Sequence, residues 1–281
     1  MDNVTLLLGP YVGDWEHEIT TFRPYIRWIM EVFNHEDVFL STHSNRTFLY
    51  DWIPKENIFP IFGEFSRNEI FQTGYVFNGL NGRDYNLLIR RFKDRIQNKK
   101  KKIEIVFLNY TKNNNSANYP IYNKIFEKIK VPDDIKISDK HKNKIVFIPD
   151  RRENIIRSEC IYKLLQKEYG EEVIVVGDMK IHFSEDNIAL KNPDYAENGY
   201  KYILSYINNA KAVVCPTCHW SIISNVQGVP LFTWGKNASQ FKEEGIYNFE
   251  NKCLSFSTDK HTKPEIIIKM LEHFRRVYAI I

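Results

Sequence analysis

Short apolar runs alternate with amphipathic stretches along most of this chain. "VTLLLGP" (4–10) is a continuous apolar run stopped by Gly-Pro, the pattern of a buried strand. Ile19, Phe22, Ile26, Ile29, Met30 and Phe33 then recur at three- and four-residue spacing, which predicts a helix. "DVFLSTH" (37–43) reads as a second strand, and Ser44 or Asn45 as the cap of a short helix carrying Phe48, Leu49 and Trp52. "NIFPIF" (57–62) reads as a third strand or edge piece, because Pro60 has no N–H to give a central ladder. The stretch 64–81 fits neither period. Residues 83–102 read as a helix with Leu87, Leu88, Arg91, Phe92 and Ile96 near one face, and "KIEIVFLNY" (102–110) as a strand. After a helix expected near 121–130, apolar patterning stops over "KVPDDIKISDKHKNK" (130–144), where a domain boundary is expected.

The alternation then restarts. "KIVFIPD" (144–150) predicts a strand, and 155–169 a helix closed by Gly170. "EEVIVVGD" (171–178) and a weaker "NIALKN" read as strands, and "GYKYILSYINNA" as a helix. "KAVVCPT" reads as a strand, 218–227 as a helix ended by Gly228, and "PLFTWG" (230–235) as a strand. A terminal helix starts at Pro264 and offers Ile267, Met270, Leu271, Phe274 and Tyr278 for burial. Two successive runs of strand–helix units imply an α/β protein with two Rossmann-like domains in tandem, each around a mostly parallel sheet, with a cleft between them. The expected extents are 1–135, 143–263, and a terminal helix 264–281 packing back on the N-terminal domain. No G-x-G-x-x-G and no G-x-x-x-x-G-K-[ST] occurs, which disfavours a dinucleotide oxidoreductase and a P-loop NTPase.

Composition narrows the class. With 43% hydrophobic and 26% charged residues, the chain can bury a globular core. It holds no apolar run of about 18 residues, and "MDNVTLLLGPYVGDW" has no basic leader, so a cytoplasmic protein is expected (host cytoplasm if the chain is viral). Cys215, Cys218 and His219 spell C-x-x-C-H, the letters of a haem attachment, half a zinc site or a redox pair. Haem attachment would follow export, and the other cysteines, Cys160 and Cys253, lie far off in sequence; small buried thiols at a strand end are the favoured reading. No D-x-D is placed for a metal-dependent nucleotide-sugar site, so neither metal nor cofactor is expected.

The position of that segment says more than its thiols. A strand ends at Cys215–Pro216 and a helix starts near Cys218, with Thr217 as its expected N-cap. Helix N–H groups would then face the ligand-binding edge of a parallel sheet, where phosphate binds well, and His219 and Ser221 add donors. The turn, the polar helix start and the following "GVPLFTWG" resemble the C-terminal-domain segment of GT-B glycosyltransferases. They are similar to the heptosyltransferase-like and related bacterial and phage families, which usually carry Gly or Ser where this chain has Cys218 and His219. "GPYVGDWEHEITTFRP" (9–24) resembles the same families: Gly13-Asp14-Trp15-Glu16-His17 follows their Gly-Asp, two residues, His pattern. It also resembles the G-E-F-G-W-E-L turn of other members, with Asp14 and Glu18 at the acidic places.

The resemblance implies transfer of a sugar from a nucleotide-diphosphate sugar to a hydroxyl, inverting and independent of metal. Asp14 is the candidate base, Glu18 the second, and His17 a residue that orients a carboxylate or the acceptor. Arg151 and Arg152, with Thr217, His219 and Ser221, are the candidate diphosphate donors. Gly177, Asp178 and Lys180 are the candidate nucleotide contacts. The net charge is only +4, but Arg90, Arg91, Lys93, Arg95, Lys99 and Lys100 crowd one stretch, a solvated helix face or a polyanion footprint. Phage enzymes that glycosylate hydroxymethylated DNA bases share the GT-B fold, so the acceptor reading leans to DNA. An acidic glycan or lipopolysaccharide answers the same charge. A nucleotide-sugar epimerase and a non-catalytic nucleotide-sugar-binding module remain alternatives.

Overall fold

The computed structural model describes residues 4–8, 18–32, 38–61, 90, 94, 102–106, 128–150, 155–177, 186–192, 194–236, 251–259 and 261–280. The chain divides into two compact units, 1–125 and 126–281. Among the described residues no helix is long and apolar enough to cross a membrane.

The first unit is built on a parallel sheet of β1 (Val4–Leu8), β2 (Val38–His43), β3 (Ile58–Ile61) and β4 (Lys102–Val106), in the order β3-β2-β1-β4. Every side chain of β2 is buried, as a strand covered on both faces requires. Pro60 sits on the edge strand β3, where its missing N–H costs no central ladder bond. The apolar stripe Ile19, Phe22, Ile26, Ile29 and Met30 is buried, but it is shared between a π-helical turn (Glu18–Phe22) and the helix α1 (Arg23–Val32). The segment after β2 is a 3-10 helix over Ser44–Tyr50. It starts after His43, with no side-chain cap from the expected Ser44 or Asn45.

In the second unit β5 (Ile145–Phe147), β6 (Val173–Val175), β7 (Ala212–Pro216), β8 (Leu231–Gly235) and β9 (Cys253–Ser257) form a parallel sheet in the order β6-β5-β7-β8-β9. The helices are α2 (Ile155–Tyr169), α3 (Tyr195–Asn208), α4 (His219–Val226) and α5 (Pro264–Tyr278). Alternation sends Phe147, Val214, Phe232 and Trp234 to one face, where they meet Ile161 and Leu165 of α2 and Ile267, Leu271 and Phe274 of α5. α4 meets α3 through Tyr200 and Trp220, whose rings lie 5.6 Å apart.

Gly170 follows α2 at φ +53°, a left-handed turn that suits a glycine closing a helix. The weak strand expected at "NIALKN" is reduced to one parallel bridge, Val175 with Asn187, followed by a 3-10 turn, Ala189–Lys191. β9 is a strand that periodicity did not isolate. The connector near 130–144 falls within the second unit, where Ile129 and Ile135 are buried. Ile267, Ile268, Leu271 and Phe274 of α5 pack in the second unit's core. The described part of the helix expected at 121–130, residues 128–130, is not helical.

Candidate functional site

Open parallel sheets bind ligands beyond the C-terminal ends of their strands, at the point where strand order reverses. In the second sheet that point lies between β5 and β7, since the chain runs from β5 outward to β6 and from β7 outward to β8. The described residues there are Asp150, which is buried just beyond β5, and Thr217 to Ser221, beyond β7.

Thr217 is not the cap of α4. Its N–H donates to the Trp234 carbonyl (2.7 Å), and its hydroxyl lies 3.2 Å from that of Thr233. Cys218, extended at φ −156° and ψ −179°, holds the N-cap position instead. Its N–H donates to Ser221 Oγ (3.1 Å), and that hydroxyl donates to the Cys218 carbonyl (2.6 Å). The Ser221 and Ile222 amides also donate to the Cys218 carbonyl. Ser221 is fully buried, so its hydroxyl serves the helix start rather than a ligand. His219 is 6% exposed, with its ring centroid 4.7 Å from that of Trp220. The strand–turn–helix places the positive end of α4 at the sheet's switch point.

The thiols of this segment are not set up for chemistry. None of the four cysteines forms a disulfide, and Cys215 and Cys218 are buried. Burial first, then Cys215 and the Asp150 charge, push the Cys218 thiol well above its ordinary range, away from the thiolate that metal binding or redox exchange needs. Among the described residues no cluster of three His, Cys, Asp or Glu could hold a metal ion.

Gly177, a candidate nucleotide contact, ends the β6 segment at φ +155°, a conformation side chains rarely adopt. Its carbonyl accepts from Asn187 Nδ2 (2.7 Å) and from Tyr195 Oη (3.0 Å). A Cβ there would touch Ile148 and Pro149. That contact is of ordinary van der Waals length, so the backbone conformation rather than the space is what favours glycine here.

In the first unit Glu18 is fully buried at the start of the π-helical turn. Thr42 Oγ1 and Tyr50 Oη (2.8 Å) donate to one of its oxygens, and Arg46 Nη1 (2.9 Å) donates to the other. Burial pushes its carboxyl up, against the pull of the Arg46 charge and the three hydrogen bonds. With both oxygens engaged and no exposed surface, Glu18 has no access to an acceptor hydroxyl, so Asp14 stays as the candidate base.

Asp14, His17, Arg151, Arg152, Asp178, Lys180, Arg91, Lys93, Arg95, Lys99 and Lys100 lie outside the described residues. Arg90 is exposed at a helical position. Three features escaped the sequence reading. Thr42, Arg46 and Tyr50 form a polar stripe at four-residue spacing, and Cys218-x-x-Ser221 has the spacing of a capping box; both were legible. Asp150 carried no local signal.

No family model matches the chain, and no curated protein matches it. Solved structures do. The chain is similar to a glycosyl transferase family 9 protein from Veillonella parvula, with TM-score 0.56 at 11% identity, covering 97% of each chain. It is also similar to E. coli heptosyltransferase WaaC with ADP, with TM-score 0.52 at 8% identity, covering 96% of this chain and 99% of that one. A UDP-N-acetylglucosamine 2-epimerase structure matches more loosely, with TM-score 0.46 at 10% identity, over 98% of this chain and 90% of that one. At these identities the likeness shows the fold, two Rossmann-like domains in tandem of the GT-B type.

Proposed function

We propose that this protein is a glycosyltransferase that moves a sugar from a nucleotide-diphosphate sugar to a hydroxyl acceptor, with inversion. The observation that carries the proposal is the strand–turn–helix at the β5/β7 switch point, in a chain that shares its fold, over 96–97% of its length, with a glycosyl transferase family 9 protein and a heptosyltransferase. The donor diphosphate would lie at the start of α4, with Arg151 and Arg152 supplying charge-assisted donors. In the reaction the acceptor oxygen bonds to the anomeric carbon as the bond from that carbon to the diphosphate oxygen breaks. The acceptor proton passes to Asp14, and the diphosphate leaves with the electron pair, its growing charge met by donors already in place.

The acceptor proposal, a hydroxymethylated base in DNA, draws on the basic stretch 83–102 and on phosphate neutralisation as the source of affinity. A panel of nucleotide sugars screened by thermal shift, then by mass spectrometry of hydroxymethylated DNA and of acidic glycans, tests donor and acceptor together. Asp14→Asn is expected to keep donor binding and to lower transfer by about a hundredfold or more. Wild-type transfer by that variant sinks the base assignment. An altered sugar nucleotide formed without any acceptor assigns the chain to epimerases instead.

A further inference from the structure

We propose that the outward face of α5 is a docking surface for a second copy of this chain, the two helices pairing antiparallel about a two-fold axis near the middle of the helix.

α5 has 15 residues and is therefore about 22 Å long. Ile267, Ile268, Leu271 and Phe274 are buried in the core of the second unit. Roughly 120° round the helix from them runs a second row: Ile266, Met270, His273 and Val277. Their spacing of four, three and four residues keeps this row on one face. Ile266 is 45% exposed and Val277 58%, His273 is exposed, and Met270 is partly buried. Single apolar side chains scattered over a surface need no explanation. These are not scattered. Among the described residues three large apolar side chains are exposed, and two of the three share this row.

Beside it, on the side away from the core, lies a charged row with the same spacing: Glu265, Lys269, Glu272 and Arg276. Among the described residues none of these four makes an ion pair, so their charges are unspent. The neighbouring Arg275 is used elsewhere, with its guanidinium over the Tyr169 ring at 4.4 Å. A row spaced four, three, four keeps that spacing when the helix is reversed. Two copies of α5 laid antiparallel therefore set Ile266 opposite the partner's Val277 and Met270 opposite the partner's His273. In the charged row Glu265 meets the partner's Arg276, and Lys269 meets the partner's Glu272, an acid against a base at every step. Laid parallel, the same row sets acid against acid and base against base, which repels. The apolar row supplies contact in either orientation, and the charges choose between them. Each copy offers the same face, so the contact closes as a dimer and does not propagate. One helix from each side makes a small interface, so the dimer is expected to dissociate at about 1–100 µM.

The test is sedimentation velocity of the full chain from about 1 to about 300 µM, a range that spans weak interfaces of this size. The wild type is expected to pass from monomer to dimer, with no larger species. Val277→Asp, at an exposed position, should weaken the dimer by about tenfold or more. Lys269→Glu turns two acid–base contacts into acid–acid ones and should weaken it by about threefold to tenfold. Adding Glu272→Lys to Lys269→Glu exchanges the two charges and restores every acid–base contact, so the double variant should return to within about twofold of the wild type. Thermal melts of dilute, monomeric samples should coincide, which keeps folding out of the comparison; Ile266→Asp replaces Val277→Asp if that variant does not fold. A wild-type chain that stays monomeric throughout overturns the proposal. So does a dimer that Val277→Asp leaves intact, which places the contact elsewhere. A double variant no tighter than Lys269→Glu alone overturns the antiparallel pairing.

Discussion

His43 and Glu18 are buried ionisable residues that share the Arg46 charge, and they tilt stability in opposite directions. Burial first, and then Arg46, lowers the His43 imidazole from its ordinary 6.5 to about 3. The folded chain therefore stays unprotonated there while the unfolded chain takes up a proton. This contribution is fully present above pH 6.5 and is lost as pH falls toward 3, a loss of up to about 5 kcal/mol. Glu18, held above the ordinary 4.5, contributes most below that value and fades as pH rises through its raised one. His43→Gln should flatten the acid-side loss of the first unit. Hydrogen exchange of first-unit amides at pH 7 and pH 4 reads it: the wild type should lose more protection than the variant, and equal losses in both would refute the assignment. Glu18 itself was visible as an acidic position in the sequence, but its partners were not joined to it, because they lie 24 to 32 residues away. Ser221 was visible as well, though its role changed. It caps α4 rather than reaching outward, since a fully buried hydroxyl satisfies the nearest backbone first.

Among elements, α4 shows how little of a short helix periodicity reveals. Every residue from His219 to Val226 is buried, so no polar face marks its register. Its boundaries were legible because Pro216, the polar turn and Gly228 punctuate it. What lies beyond its last turn was not. Gln227 accepts from the Ile129 N–H (2.6 Å) and donates to the Ile129 carbonyl (2.9 Å) and to Asn208 Oδ1 (2.5 Å). That side chain holds the chain's entry into the second unit across 98 residues of sequence. Gln227→Leu keeps the bulk and leaves both polar groups of buried Ile129 unsatisfied, at roughly 1–3 kcal/mol each. A urea titration of the second unit should show a loss of about 2–6 kcal/mol at unchanged slope. A loss under about 0.5 kcal/mol, the scale of an ordinary surface substitution, would mean that the clamp is not made. The "NIALKN" strand shrank for a related reason: Asn187 spends its side chain on the Gly177 carbonyl and the Ala189 N–H, which turns the chain away after one bridge.

For the whole molecule, the tandem α/β order was readable because each strand–helix unit carries its own period. The topology adds what period cannot, the strand orders β3-β2-β1-β4 and β6-β5-β7-β8-β9, which locate the switch points. The described core of the second unit is built from that unit's own strands and helices. Phe147, Val214, Phe232 and Trp234 are covered by α2 and α5, and Phe274 packs 6.0 Å from Phe232, ring to ring. Residues 126–281 alone should therefore unfold cooperatively and bind a nucleoside diphosphate without transferring sugar. Ligand at about a hundred times its Kd adds about 2.7 kcal/mol, which a thermal melt resolves. Removing 264–281 instead uncovers Phe232 and Trp234 and takes away Ile267, Leu271 and Phe274, each contributing about 1.5–3 kcal/mol by burial. With typical domain stabilities of about 5–15 kcal/mol, that deletion should abolish the second unit's transition while the first unit's remains. If chain 1–263 keeps the second transition, α5 is not the lid of this core. If 126–281 melts without cooperativity, the unit depends on its neighbour, and diphosphate binding must be measured on the full chain.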